Sequence, residues 1–259
     1  DYLGAAIKDL VMHEVGHTLG LRHNFKASSG IPSDKLHDER YTREHGVSLS
    51  VMDYAPVNVA LNEDKQGHYW KPNVGPYHEW AIQYGYMPIA EQAEKGPLAQ
   101  NGPLADTLTA ETAGLDKIAA ASSDPEHRYG TDEDTWLGAY AVDPLTNAWE
   151  LGHDPKAFAR SRTRLVDKVM PKLDERLVAE GERYSPLRRA TTSLLLTRYQ
   201  ALLPVVKSVG GNYVARDHKG TPNARPPLRP VPAEEQRAAV QLLVDDAFAP
   251  DAFQFEAER

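Results

Sequence analysis

The sequence predicts a mainly α-helical protein, and three observations lead to this fold class. Apolar residues recur at helical spacing over residues 2–19, and again along two long segments of the C-terminal half. Those two segments begin with Asp-Pro at residues 154–155 and Ser-Pro at residues 185–186, pairs that cap a helix and open its first turn. The one strand pattern that we identify is short and lies within residues 212–219.

The first predicted helix covers residues 2–19, with Asp1 in a position to cap its start. Gly20 follows, and glycine takes the left-handed conformation at low cost, so the helix can end there and turn. One side of the helix is apolar, and we expect that side to be buried. Its residues are Ile7, Leu10, Val11, Val15 and Leu19.

The first helix and the residues after it carry three histidines at the spacing of a catalytic zinc site. His13 and His17 are four residues apart and therefore share one helix face. A turn at Gly20 lets His23 return as a third ligand. Three neutral imidazoles suit zinc and leave its fourth position open to water, which predicts a catalytic rather than a structural metal.

Glu14 lies beside His13 and is not needed as a ligand. Its expected role is to take a proton from the water that the metal activates and to pass it to a leaving amine. The competing interpretation is an ordinary amphipathic helix with scattered histidines, and the coincidence of all five specified residues disfavours it. A distant glutamate is the third ligand in another class of zinc peptidases, which raises Glu79 as a candidate, but His23 makes it redundant.

The motif and the later run Ser50-Val51-Met52-Asp53-Tyr54 resemble a metzincin, the zinc-peptidase clan with a methionine turn beneath the metal. The resemblance implies that Met52 lies under the histidines and that Tyr54 reaches the metal or donates a hydrogen bond to the developing oxyanion. A buried tyrosine bonded to backbone remains the alternative for Tyr54.

More closely, the chain resembles the C-terminal met-zincin region of large bacterial zinc-dependent metallopeptidases. The phrases that carry this likeness are residues 50–56, 75–77, 80–82 and 216–220. In metzincins a twisted sheet precedes the active-site helix, and its edge strand holds the substrate. We therefore expect this chain to be part of a longer protein whose upstream region is a partner, and the family likeness favours an extracytoplasmic location.

The resemblance refines the predicted fold. We expect a metzincin active-site helix and Met-turn, followed by a C-terminal helical subdomain, with the N-terminal β-sheet of the catalytic domain lacking from this chain. Residues 1–100 would form the zinc-binding catalytic half, and residues 101–259 the helical subdomain, with a short strand and a proline-rich segment near residues 212–232.

Between the Met-turn and the C-terminal helices the pattern is mixed. Residues 24–50 and 55–75 look irregular, and a short helix is predicted over residues 76–85. Residues 88–103 form a predicted surface connection, and a helix is predicted over residues 104–121. The carboxylates of residues 129–134 lack the spacing of a calcium loop and favour a solvated turn.

The two C-terminal helices are delimited by proline and glycine. The first should end at Gly181 with a kink at Pro171, and the second should end at Gly210. A last helix is predicted over residues 233–247. A run of arginines at the helix starts is interpreted as a solvated face. It comprises Arg160, Arg162, Arg164, Arg188 and Arg189.

Composition excludes several classes of protein. With 37 acidic and 29 basic residues the formal net charge is −8, which argues against a nucleic-acid binder. The sequence has no apolar run long enough for a transmembrane helix. It has no cysteine, which excludes disulfides and thiolate ligands but does not settle the compartment.

The leading hypothesis is a zinc-dependent endopeptidase that hydrolyses polypeptide substrates. A second hypothesis is a non-proteolytic binding or assembly module that keeps zinc, because a zinc site without a strand to align the substrate would hydrolyse poorly. A zinc hydrolase of non-peptide amides is a third, since the metal chemistry would be the same.

Overall fold

A computed structural model describes residues 2–62, 65–88, 114–135, 141–250 and 252. This part of the protein is mainly α-helical, as predicted, with a further helical segment at residues 114–119. Within it, no helix is long and apolar enough to cross a membrane. The helices are α1 (Tyr2–Thr18), α2 (Glu39–His45), α3 (Pro76–Tyr86), α4 (Pro155–Val169), α5 (Leu173–Leu177), α6 (Ser185–Ser208) and α7 (Ala233–Asp246), and the strands are β1 (Asn212–Val214) and β2 (Leu228–Pro230).

The first helix ends where the glycine predicts. α1 stops at Thr18, and Gly20 adopts a φ of 79°, a left-handed conformation. The backbone N–H of Leu21 then donates to the carbonyl oxygen of Gly16 at 3.1 Å, which closes the helix end. The chain therefore reverses direction within a few residues of the second histidine.

The apolar side of α1 is exposed, so the prediction of its burial is wrong for the part of the chain that the structure describes. Leu3 and Ile7 are 68% and 61% exposed. The buried side of the helix instead carries Asp9, His13 and Gly16. α1 thus turns its polar and smallest residues inward, and the apolar side is left without a cover. The other exposed apolar residues on α1 are Tyr2, Leu10, Val11 and Val15, with Leu19 just beyond its end.

The segment after the third histidine contains a helix that the pattern did not predict. α2 occupies residues 39–45, within a stretch expected to be irregular. The side chain of Asp38 accepts a hydrogen bond from the backbone N–H of Tyr41 at 3.0 Å and so caps the helix. Gly46 ends it with a φ of 75°. These cap residues were the available signal, and the polar composition of the helix concealed it.

A hydrophobic cluster joins the irregular segment after α1 to the C-terminal helices. Its buried members come from residues 27–55, from the loop before α4, and from α4 and α6. This shared packing holds the irregular segment in place against regular structure. The members are Ala27, Ile31, Leu36, Val47, Leu49, Ala55, Leu151, Phe158 and Ala201.

The C-terminal helices pack on one another through a second cluster. α4, α6 and α7 contribute Ala159, Leu202, Val205, Ala239 and Leu242. Asp154 caps α4 by accepting from two backbone N–H groups, as predicted. A 3₁₀ turn at residues 170–172 contains Pro171 and interrupts the α-helix between α4 and α5, as the predicted kink requires. α5 ends at Leu177, so the predicted end at Gly181 is wrong.

The sheet is small. β1 pairs with β2 in antiparallel register, Asn212 opposite Pro230, and β2 lies inside the predicted proline-rich segment. Most of the predicted connection at 88–103 and the first part of the predicted helix at 104–121 lie outside the described residues. The domain boundary near residue 100 also lies there, and the division into two domains stays a prediction.

Candidate metal centre

Three histidines come together at the end of α1. His13 and His17 lie one turn apart, with ring centroids separated by 4.7 Å. After the turn at Gly20, the ring of His23 returns to 5.4 Å from His13 and 4.9 Å from His17. One ligand nitrogen from each residue lies within 4.8 Å of the other two, so the trio could hold a metal ion.

Hydrogen bonds fix the orientation of the first two rings. His13 Nδ1 donates to the backbone oxygen of Val51 at 2.7 Å, and His17 Nδ1 donates to that of Leu21 at 2.9 Å. Because carbonyl oxygens only accept, each neutral ring carries its proton on Nδ1 and has a free lone pair on Nε2. Outer partners of this kind orient metal-binding imidazoles and select the nitrogen that binds.

The third ring is held by a carboxylate. His23 Nδ1 donates to Oδ1 of Asp132 at 2.9 Å, across 109 positions of sequence. Although burial works against its charged form, the hydrogen bonds from His23 and Thr131 hold the pKa of Asp132 below its ordinary value. Beside it, Arg22 makes two hydrogen bonds of 2.8 Å to the carboxylate of Glu133, which pins the same turn to the segment between the histidines.

Two of the ring nitrogens have no hydrogen-bond partner among the described residues. Nε2 of His13 and Nε2 of His23 are buried and form no hydrogen bond with the described residues. An unpaired buried acceptor costs about 1–3 kcal/mol, and binding a metal ion at the Nε2 atoms would remove that cost. Burial also lowers the pKa of His13, which keeps its imidazole neutral as a metal ligand must be. The three residues therefore fit zinc.

Residues 50–54, called here the Met52 loop, lie against the inner side of α1. Met52 is fully buried. A Cβ atom built on Gly16 would lie 2.3 Å from its Sδ atom, so only glycine permits this approach without movement of Met52. The backbone oxygen of Met52 accepts from the N–H of Asn24 at 2.9 Å, which connects the loop to the residue after the third histidine.

His78 on α3 supports the Met52 loop, and sequence reasoning missed it. Its Nε2 accepts from the backbone N–H of Val51 at 3.1 Å and from the hydroxyl of Ser50 at 2.9 Å. Burial, followed by the charge of Lys71, lowers the pKa of His78 to about 4. The ring is thus neutral at physiological pH and can accept both bonds. The available signal was its place directly after residues 75–77, one of the phrases that carry the family likeness.

A buried polar network ties the Met52 loop to its surroundings. Oδ2 of Asp53 accepts from the backbone N–H of Ser28 and from the hydroxyl of Ser48, each at 2.9 Å. Lys71 donates to the backbone oxygen of Asp53 at 2.7 Å and pairs with Asp9 of α1 at 3.3 Å. Burial raises the pKa of Asp53 to about 6. The network fixes the loop relative to α1.

Tyr54 lies beside the histidines. Its ring centroid is 5.1 Å from that of His13 and 4.5 Å from that of His23, and about a third of the residue is exposed. Burial, followed by the charge of Glu14, raises the pKa of Tyr54, so the phenol stays protonated and able to donate a hydrogen bond. The ring therefore borders the cluster and is open to solvent, whereas the alternative interpretation requires it to be buried.

The carboxylates that the sequence raised as candidates occupy different places in the structure. Glu14 is exposed on α1 directly after the first histidine. Glu79 lies on α3 and lines a different cavity, outside the histidine cluster. The interpretation of residues 129–134 as a solvated turn is wrong in part, because Asp134 is buried and bonded to Arg216 at 2.7 Å, while Asp132 orients the third histidine.

Comparison with known families agrees with this geometry. The family described as Met-zincin matches residues 1–258. The chain belongs to the Met-zincin family. Its resemblance to the metzincins, seen first in the zinc motif, is confirmed at the level of the family. Membership implies zinc and points to a function like that of a zinc metallopeptidase. No curated protein and no solved structure matches the chain.

Proposed function

We propose that the chain is a zinc-dependent endopeptidase of the metzincin type, with zinc held by His13, His17 and His23. One observation carries the proposal. The three rings lie together with every Nδ1 atom engaged in a hydrogen bond, while the buried Nε2 atoms of His13 and His23 have no partner among the described residues. Membership of the Met-zincin family supports the same metal.

The protein's own residues then divide the work of peptide hydrolysis. When bound, zinc supplies the Lewis acid that polarises the carbonyl group under attack and acidifies water. Glu14 is exposed beside the ligands and is the base that takes the proton and returns it to the departing amine. Tyr54 lies at the edge of the cluster and donates a hydrogen bond to the developing oxyanion. Met52, packed under Gly16, is the floor of the site.

Substitution of Glu14 tests the proposal. The zinc-loaded chain, made together with its upstream region, should cleave an unfolded polypeptide, and Glu14→Gln should abolish cleavage while the protein still binds one zinc ion. Glu79→Gln is the matched control, because it removes a carboxylate from α3 outside the cluster. Equal cleavage by Glu14→Gln and the parent would show that Glu14 is not the base. Loss of zinc from Glu79→Gln would favour Glu79 as a zinc ligand.

A partner for α1 belongs to the same proposal. The apolar side of α1 is exposed in the described chain, and the upstream region expected from the metzincin likeness would cover it. Protection of α1 amides from hydrogen exchange in the longer protein, compared with this chain alone, tests that placement. Equal protection in the two would refute it.

The same exposed face favours the second candidate, a zinc-containing binding or assembly module that cuts nothing. The two candidates differ in one measurement, since one zinc per chain without turnover of any unfolded polypeptide by the longer protein would select the module. We also propose an extracytoplasmic location from the family likeness, which fractionation of cells that produce the full protein would test.

A further inference from the structure

A cavity of about 360 Å³ opens next to the histidine cluster, at the end of α1. One wall is formed by Gly20, Leu21 and Arg22, three of the five residues between the second histidine and the third. Trp80 and Tyr84 of α3 form another wall. The volume lies in the range of ligand-binding pockets and is large enough for a side chain of a bound polypeptide.

Stacked rings form part of the walls of this cavity. Trp80 stacks on His127 with centroids 4.7 Å apart and planes 7° from parallel. Tyr77 stacks on Tyr129 at 6.0 Å and 4°, and the guanidinium of Arg216 lies 5.6 Å from the centroid of Tyr129. Aromatic pairs contribute about 0.5–1.5 kcal/mol beyond the area that they bury, which stabilises this side of the cavity.

The lining of the cavity is strongly basic. Among the described residues that form it, a single carboxylate, Asp217, faces five lysine and arginine side chains. A neighbouring cavity of about 260 Å³ shares two of these arginines and has no carboxylate among its described lining residues. The five cations are Arg22, Lys26, Arg128, Arg216 and Arg225.

Arg128 differs from the other four cations. Each of those has a carboxylate partner: Glu133 for Arg22, Asp143 for Lys26, Asp134 for Arg216 and Asp217 for Arg225. Arg128 donates through Nη1 to the backbone oxygen of Ser29 at 2.8 Å, and its Nε is buried without a hydrogen-bond partner. No carboxylate of the described chain forms an ion pair with it.

Two further observations at this cavity favour an anion as its ligand. Burial, followed by the charge of Arg225, lowers the pKa of Arg128, and the charge of Asp143 offsets this only in part. The hydroxyl oxygen of Ser122 also lines the cavity and is buried without a partner. The described chain supplies neither donor with an acceptor, and a carboxylate is a suitable acceptor for both.

The position of Arg128 links the cavity to the metal centre. The side-chain amide of Asn24, the residue after the third histidine, donates to the backbone oxygen of Arg128 at 2.9 Å. Four residues further on, Asp132 holds the ring of His23. Residues 128–132 therefore run alongside the third ligand, and a polypeptide bound at the metal could place a side chain in the cavity.

We propose that this cavity binds an aspartate or glutamate side chain of the substrate, with Arg128 as its counter-ion. The inference rests on the proposed peptidase function, because it names a preference of the same site. A guanidinium and a carboxylate match in a planar, two-bond arrangement, and Ser122 adds a third donor. Arg128 is then a specificity-determining residue and takes no part in the chemical step.

A binding experiment tests the proposal without relying on catalysis. The probes are two fluorescein-labelled pools of random decapeptides that differ at one fixed position, glutamate in one and glutamine in the other. Fluorescence anisotropy with zinc-loaded Glu14→Gln protein should show roughly ten-fold tighter binding of the glutamate pool, as expected for a charge-assisted hydrogen bond. Equal affinity for the two pools would overturn the proposal, and this comparison needs no variant of Arg128.

Substitution of Arg128 gives the second arm. Arg128→Gln should remove the preference for the glutamate pool, and Arg237→Gln, an exposed arginine of α7, should retain it. A folded Arg128→Gln protein that keeps the preference would refute the role of Arg128. Failure of the peptidase proposal is recognised separately: the parent would then bind the glutamate pool more tightly but cleave neither pool.

Discussion

Removal of the Asp132 carboxylate should weaken zinc binding although Asp132 is not a ligand. Asp132→Ala deletes the acceptor of the 2.9 Å hydrogen bond from Nδ1 of His23. A hydrogen bond to a charged group is worth about 1.5–3 kcal/mol, and the 47% exposure of the Asp132 side chain favours the lower figure. Loss of about 1.5 kcal/mol corresponds to zinc binding that is weaker by roughly ten-fold, within the range seen for such outer partners.

Competition with a zinc-chelating dye measures this effect directly. Glu133→Gln is the matched control, because Glu133 lies in the same turn and pairs with Arg22 but contacts no ligand. Asp132→Asn keeps one acceptor oxygen and should fall between the parent and Asp132→Ala. If Asp132→Ala binds zinc no more weakly than Glu133→Gln, the hydrogen bond to His23 does not support the site and the reasoning is refuted.

Two further predictions concern stability. Gly75 has a φ of 87°, and a Cβ atom there would lie 2.2 Å from the backbone oxygen of Leu49. Gly75→Ala should therefore lower the free energy of unfolding, measured by urea titration, by about 2 kcal/mol or more. Gly85 lies in open space on α3, and Gly85→Ala should raise the free energy of unfolding by up to about 1 kcal/mol. Equal effects would contradict the backbone argument. Glu150 is fully buried, and burial, followed by the charge of Asp53, raises its pKa well above the ordinary value. The folded state therefore keeps a proton that the unfolded state releases, and the free energy of unfolding falls as the pH rises above about 4.5. Glu150→Gln removes this loss of stability with pH. In thermal scans, the melting temperature of the variant should exceed that of the parent by a larger margin at pH 8 than at pH 5. The same margin at both pH values would show that Glu150 is ionised in the folded as well as the unfolded state.

The cluster of three histidines could be predicted because its geometry is local. His13 and His17 are related by one helical turn, and Gly20 marks the turn that returns His23, so spacing along the chain was enough. The ends of α1, α3 and α7 follow from the same short-range signals. These three helices and the histidine cluster thus depend on short segments that sequence alone describes well.

The outer partners could not be predicted because they depend on distant segments. Asp132 lies 109 positions from His23 and sits in a turn rich in carboxylates, a composition that favoured a solvated interpretation. His78 of α3 forms a hydrogen bond with the Met52 loop, and no sequence pattern predicts this contact. Arg162 was assigned to a solvated face, yet it is buried and donates to the backbone oxygen of Val57, since it lies on the inner face of α4. Each error concerns a side chain whose contacts are with residues distant in the sequence.

The long reach of the hydrogen bond between His23 and Asp132 has a consequence for the order of folding. The three histidines lie within eleven residues, and closing so short a loop around an ion has a small entropic cost, so even an incompletely folded chain could hold a metal weakly. Asp132 arrives only when residues 128–135 dock on the segment that follows α1. During refolding, a rise in the affinity for the metal would therefore indicate that the tertiary structure is complete. The first, weak binding of the metal would indicate only that the turn at Gly20 has formed.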